Sequence, residues 1–163
     1  MTSDKLQTKL AENRARTMQP ALRKTFARKL GCGPQDIVFA DLMTTRRTAE
    51  RLHQRWASER KASTGTSIVT EDRAEVIRLV EEIRTQFSQR TLYLMHDGAG
   101  DAGAILLRGD TALEHLDDIL EFEGEDLILS DEGACCAIAI EWFMDRTPER
   151  QCAIYRVAAW HDE

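Results

Sequence analysis

Proline is scarce in this chain, with three residues in 163, and aromatic residues make up only 6%. With nine glycines besides, the chain is neither a Pro-rich spacer nor a collagen-like or Gly-rich low-complexity segment. Cysteine is limited to Cys32, Cys135, Cys136 and Cys152. None forms a CxxC pair, and a disulfide scaffold of this length would need more of them. They read as small core hydrophobes. Adjacent Cys135 and Cys136 point to opposite faces if their segment is a strand, so they cannot easily grip one metal together. Long apolar runs are also missing. The longest covers residues 134–140, against roughly 18–20 residues for a membrane-spanning helix. The opening residues, Met1 to Lys5, lead into no apolar signal region, which sets the expectation of a cytoplasmic protein.

What is present is enough apolar sequence, 42%, alongside 31% charge, to collapse into a core of one-domain size. The net charge of −6 hides an asymmetry. Residues 1–90 carry 18 Lys and Arg against 11 Asp and Glu, or +7; residues 91–163 carry 4 against 17, or −13. Charged side chains stay in water, so the two halves project opposed fields that steer charged partners and attract each other.

Helical spacing dominates the first half. Residues 4–18 form a weak helix around Leu6 and Leu10, and Pro20 stops or restarts it. Residues 20–30 place Leu22, Phe26 and Leu30 on one stripe, closed by Gly31. Gly33-Pro34 marks a turn, and Ile37-Val38-Phe39 is a strand or a buried loop. Residues 45–61 form a helix with Ala49, Leu52, His53 and Trp56 on one face and Arg47, Arg51 and Arg55 on the other. Residues 62–67 read as a linker. The clearest helix spans 71–88, with Val76, Leu79, Val80, Ile83 and Phe87 inward and Thr70 as its cap.

Beyond Gln89 the period shortens. Strands are expected at 91–96, 103–108, 126–130, 135–143 and 151–159, with a flexible hairpin turn at 97–101 and one helix at 111–122 that turns Leu113, Leu116, Ile119 and Leu120 inward. Residues 145–150 turn the chain. The strand at 135–143 is apolar enough to be central and buried on both faces. The fold class is therefore α+β: N-terminal helices followed by a mostly antiparallel sheet with one or two helices packed on it. The division is a basic helical segment, 1–61, and an α+β domain, 68–163, folding as one unit.

Few residues point to chemistry. Gly98, Gly100 and Gly103 spell GxGxxG. In a dinucleotide site that motif joins a strand to a helix whose N-terminus meets the pyrophosphate. Here a second strand follows, so no cofactor is expected. His96-Asp97 would be the place to look for an enzyme, but no GxSxG elbow accompanies it. His115 and Asp118 could hold two metal positions, yet a third ligand is not visible, and no metal is expected.

The strongest feature is acidic. Glu114, Asp117, Asp118, Glu121, Glu123, Glu125, Asp126, Asp131 and Glu132 fall within residues 114–132 with no Lys or Arg among them. Glu114, Asp117, Asp118 and Glu121 share a helix face opposite the Leu stripe. The basic stripe Arg47, Arg51 and Arg55 offers an alternative, a nucleic-acid-binding regulator. The long gap before residues 45–61 does not fit a helix-turn-helix, and the acidic C-terminal half disfavours nucleic acid.

Residues 91–160 resemble the immunity proteins of bacterial contact-dependent growth inhibition. The likeness lies in the strand Leu92-Tyr93-Leu94 and in the helix-turn-strand unit from Leu113 through Phe122 and Gly124 to Ser130. It continues in the buried strand at 137–142 and the returning Tyr155-Arg156-Val157. It covers less than half of the chain and leaves 1–61 unmatched. The resemblance implies a non-enzymatic cytoplasmic protein that binds and neutralises one cognate toxin domain. A compact acidic face, made of the nine residues above, would complement a toxin's basic cleft.

Overall fold

The strand expected at 91–96 alternates buried residues with exposed or half-exposed ones. In β3 (Thr91–Met95) Leu92 and Leu94 are buried, while Tyr93 and Met95 are only partly covered. The computed structural model describes residues 3–62, 66–123, 126–147 and 150–161. Seven strands form one antiparallel sheet in the order β1-β4-β3-β5-β6-β7-β2. The others are β1 (Val38–Phe39), β2 (Thr66–Thr70), β4 (Ile105–Arg108), β5 (Leu127–Ser130), β6 (Cys136–Thr147) and β7 (Arg150–His161). With the helices, this is the α+β architecture the periodicity predicts. No helix among the described residues is long and apolar enough to cross a membrane.

One sheet face carries Leu92, Leu94, Ile105, Leu107, Leu127, Leu129, Ile138, Ile140 and Val157, all buried in the main core. It is covered by α1 (Ser3–Lys29), α3 (Arg73–Phe87), α5 (Gly109–Glu114) and α6 (Leu116–Glu123). Helix α3 buries the predicted stripe of Val76, Leu79, Val80, Ile83 and Phe87. The other face carries Ala137, Ala139 and Trp160 and meets α2 (Leu42–Ala62) through Leu52 and Trp56. β6 is flanked by β5 and β7, and residues 136–140 are buried, the central strand expected at 135–143. Cys136 opens β6 and is buried, whereas Cys135 precedes the strand and is exposed; Cys32 is also exposed and Cys152 half-buried, so only one of the four is a core hydrophobe.

Several local expectations need correction. Pro20 lies inside α1, which runs unbroken through it. The lost hydrogen bond and steric clash cost about 3 kcal/mol. Packing on both sides holds the helix together: Ala15 is buried before the proline, and Phe26, Ala27 and Leu30 after it. The helix ends at Gly31, whose φ of 61° lets the Cys32 N–H reach the Ala27 carbonyl at 2.9 Å, a left-handed C-terminal cap. The cap of α3 is Asp72, not Thr70: the Asp72 carboxylate accepts the Ala74 N–H at 2.8 Å. Thr66 and Ser67, expected in a linker, pair with Ala159 and Ala158 of β7; of that linker, residues 63–65 lie outside the described residues. The turn between β3 and β4 contains a single helical turn, α4 (Ala99–Ala102). At the turn expected over 145–150, β6 and β7 pair up to Thr147 and Arg150; residues 148 and 149 lie outside the described residues.

Candidate functional site

The single helix expected at 111–122 is two. α5 ends at His115, whose backbone (φ −102°, ψ 17°) leaves the helical region, and α6 starts at Leu116. The inward residues survive the break, because Leu113, Leu116 and Ile119 are all buried in the main core. Glu114, Asp117 and Asp118 are exposed. Asp117 forms an ion pair with Arg73 at 2.6 Å, and Asp118 lies 3.4 Å from His115 Nδ1. At the start of α5, the Arg108 guanidinium and the Thr111 N–H hold the Asp110 carboxyl below its ordinary range. Glu121 and Glu123 belong to α6, but their side chains lie outside the described residues, as does Glu125 altogether.

The other acids go elsewhere. Asp126 precedes β5 and Asp131 follows it, so about 16 Å of strand separates them. Asp126 is exposed and faces the α2 side of the sheet. Asp131 is a turn residue: its Oδ1 accepts the N–H groups of Cys135 (2.8 Å) and Cys136 (3.2 Å). Glu132 stands under α2, where its carbonyl accepts Thr48 Oγ1 at 3.1 Å and Arg51 at 3.2 Å. Its carboxylate accepts the Tyr93 hydroxyl at 3.4 Å; burial first, and then that carboxylate, push the Tyr93 phenol up. The run of acids is thus divided between the α5–α6 surface, the bottom of β5 and the β5–β6 turn. A contiguous stretch of sequence need not stay contiguous when a strand carries it across the molecule.

His96 is buried between the rings of Phe26 and Phe39. Its Nδ1 accepts the Gly98 N–H at 3.1 Å, and its Nε2 faces the Gly103 carbonyl at 2.9 Å. Both ring nitrogens are held by backbone, which leaves neither for a substrate. Burial pushes this imidazole down. The glycine motif lies between the antiparallel strands β3 and β4, outside the strand-to-parallel-strand unit in which it grips a pyrophosphate. Gly103 serves packing instead: its φ is 91°, and a Cβ there would run into the Ala40 carbonyl. Among the described residues, no three His, Cys, Asp or Glu side chains gather as a metal site requires. Of the basic stripe, Arg51 folds back onto Glu132, and Arg47 lines a groove between α1 and α2.

One concave feature escaped the sequence reading. Between α2 and the sheet lies a cleft of about 390 Å³, walled by Leu52, Trp56, Met95, Ile128, Ala139 and Trp160. Trp56 belongs to a face legible by helical spacing, but its partner Trp160 arrives only through the pairing of β7 with β6. The ring centroids are 5.8 Å apart and tilted by 45°. No protein-family model, curated protein or solved structure matches this chain.

Proposed function

We propose that this chain is an interaction protein that binds a basic protein surface, and that its role is to neutralise a cognate bacterial toxin domain. The reading is supported by one observation. Glu114, Asp117 and Asp118 stand exposed above buried Leu113, Leu116 and Ile119, in a stretch, residues 109–145, that contains no Lys or Arg. Asp117 and Asp118 lie in the first turn of α6, where the helix N-terminus favours negative charge, whereas Glu114 ends α5, where it does not. A toxin that grips phosphates needs a basic cleft, and an acidic surface is its electrostatic complement, accelerating encounter more than it deepens affinity. Asp117 is exposed, and its ion pair with half-buried Arg73 is worth about 0–1 kcal/mol, little enough for a basic partner to compete with.

The test is co-expression with toxin domains encoded beside its gene, followed by co-purification and surface plasmon resonance at two salt concentrations. Reversing Glu114, Asp117 and Asp118 together to Lys is expected to lower the association rate by about tenfold or more and to flatten its salt dependence. Failure of every neighbouring toxin domain to co-purify overturns the reading. A triple variant that associates as fast as the parent at low salt removes the acidic surface from it.

A further inference from the structure

The geometry points to the cleft beneath α2 as a binding site for a small organic cation free in solution, an alkylammonium with a hydrocarbon body. The cleft belongs to the sheet face opposite α5 and α6, so this inference is independent of the acidic helix surface. Its depth follows from the small side chains that the sheet places beneath α2. Ala137 and Ala139 on β6 turn their small side chains toward α2, and Ala158 of β7 pairs with Ala139 on the same face. A helix carrying Trp56 then cannot close onto the sheet completely.

The two indoles are fixed. Trp56 donates its N–H to Glu141 Oε1 at 3.1 Å, and Trp160 donates its N–H to the Ala134 carbonyl at 3.0 Å. With both polar edges bonded, what the rings contribute to the cleft is carbon surface. Indole faces carry negative electrostatic potential and attract cations within about 6 Å of the ring. Among the described residues, the charged side chains lining the cleft are Asp126 and Glu141, both acidic, with His53 beside them and no Lys or Arg. Glu141 is held in place by Arg156 through its other oxygen, at 3.2 Å, which orients the carboxylate that orients Trp56. Apolar walls with a few placed polar groups, in a volume of a few hundred Å³, are the usual make-up of a small-molecule site. Arg156 balances Glu141, so the preference for a cation over an anion rests on the indole faces first and on the acidic sign of the remaining lining second.

The experiment titrates the full chain with choline and with benzyltrimethylammonium, read by tryptophan fluorescence and calorimetry. Choline's neutral carbon isostere, 3,3-dimethylbutan-1-ol, is the comparison. The cations are expected to bind about tenfold or more tightly than the isostere, the margin a desolvated cation–π contact provides. Trp56→Leu should abolish binding while circular dichroism stays unchanged, and Trp56→Phe should keep part of it. Trp142 lies on the other side of β6 and reports non-specific quenching. No saturable binding of either cation up to about 10 mM, near the weak end of measurable affinity, overturns the inference. So does equal binding of the neutral isostere, or full binding by Trp56→Leu.

Discussion

His96 and Gly103 are joined across the connection between β3 and β4, the ring Nε2 lying 2.9 Å from the Gly103 carbonyl oxygen. With Nδ1 accepting from Gly98, the arrangement needs a neutral imidazole, its proton on Nε2. Protonation would place a second hydrogen against the Gly98 N–H, between the rings of Phe26 and Phe39.

The first prediction follows from that relationship. The folded-state pKa of His96 lies below its ordinary value of 6.5, chiefly through burial. The unfolded chain therefore takes up this proton first as pH falls. The contribution of neutral His96 to stability is present above pH 6.5 and declines as pH drops from there toward the folded pKa. Urea unfolding across that window should show this loss, and His96→Gln should remove the part of the slope that His96 supplies. An unchanged slope in the variant would refute the assignment.

The central strand gives a second expectation. Ile138 and Ile140 are fully buried in the main core, between β5 and β7. Replacing either with Ala should cost about 2–5 kcal/mol in denaturant unfolding. A loss below about 1 kcal/mol would mean that the site collapses around the missing atoms.

Gly103 tests the backbone. Its φ of 91° and the Ala40 carbonyl against its Cβ position make Gly103→Ala a strained substitution, expected to cost about 1–3 kcal/mol. Gly100 has open space around it and lies within α4. Gly100→Ala should be neutral or slightly stabilising by thermal melting, since Ala is the better helix former.

The ion pair on α6 should matter little for folding. Asp117 is exposed and Arg73 half-buried, so Asp117→Ala should shift unfolding free energy by no more than about 1 kcal/mol. A larger loss in equilibrium denaturation would make this pair structural and would weaken charge reversal there as a probe of binding.

The helices were legible where their apolar spacing is long and regular. Val76, Leu79, Val80, Ile83 and Phe87 announce α3 without any partner, and Leu113, Leu116 and Ile119 keep their inward face even though the helix breaks at His115. The strand at Thr66–Thr70 was not legible. It is short, polar on either side, and a strand only because β7 offers it an edge. Pro20 misled for the opposite reason: a local rule that favours a break was outweighed by burial of Ala15, Phe26 and Leu30, which no local window contains.

The candidate sites divide along the same line. That residues 114–132 are acidic and that α5–α6 present Glu114, Asp117 and Asp118 outward follow from composition and a 3.6-residue period. That Asp126, Asp131 and Glu132 depart from them was decided by β5, which carries the chain across the sheet. The cleft was decided wholly by tertiary structure. Trp56 and Trp160 are separated by most of the chain, and alternation along a strand says only that Trp160 shares a face with Ala158. Which helix covers that face, and how much space the alanines leave beneath it, depends on the order β5-β6-β7-β2. Periodicity is a property of neighbours in sequence. Strand order and the cavities it leaves are properties of contacts between residues far apart, whose energies no single segment contains.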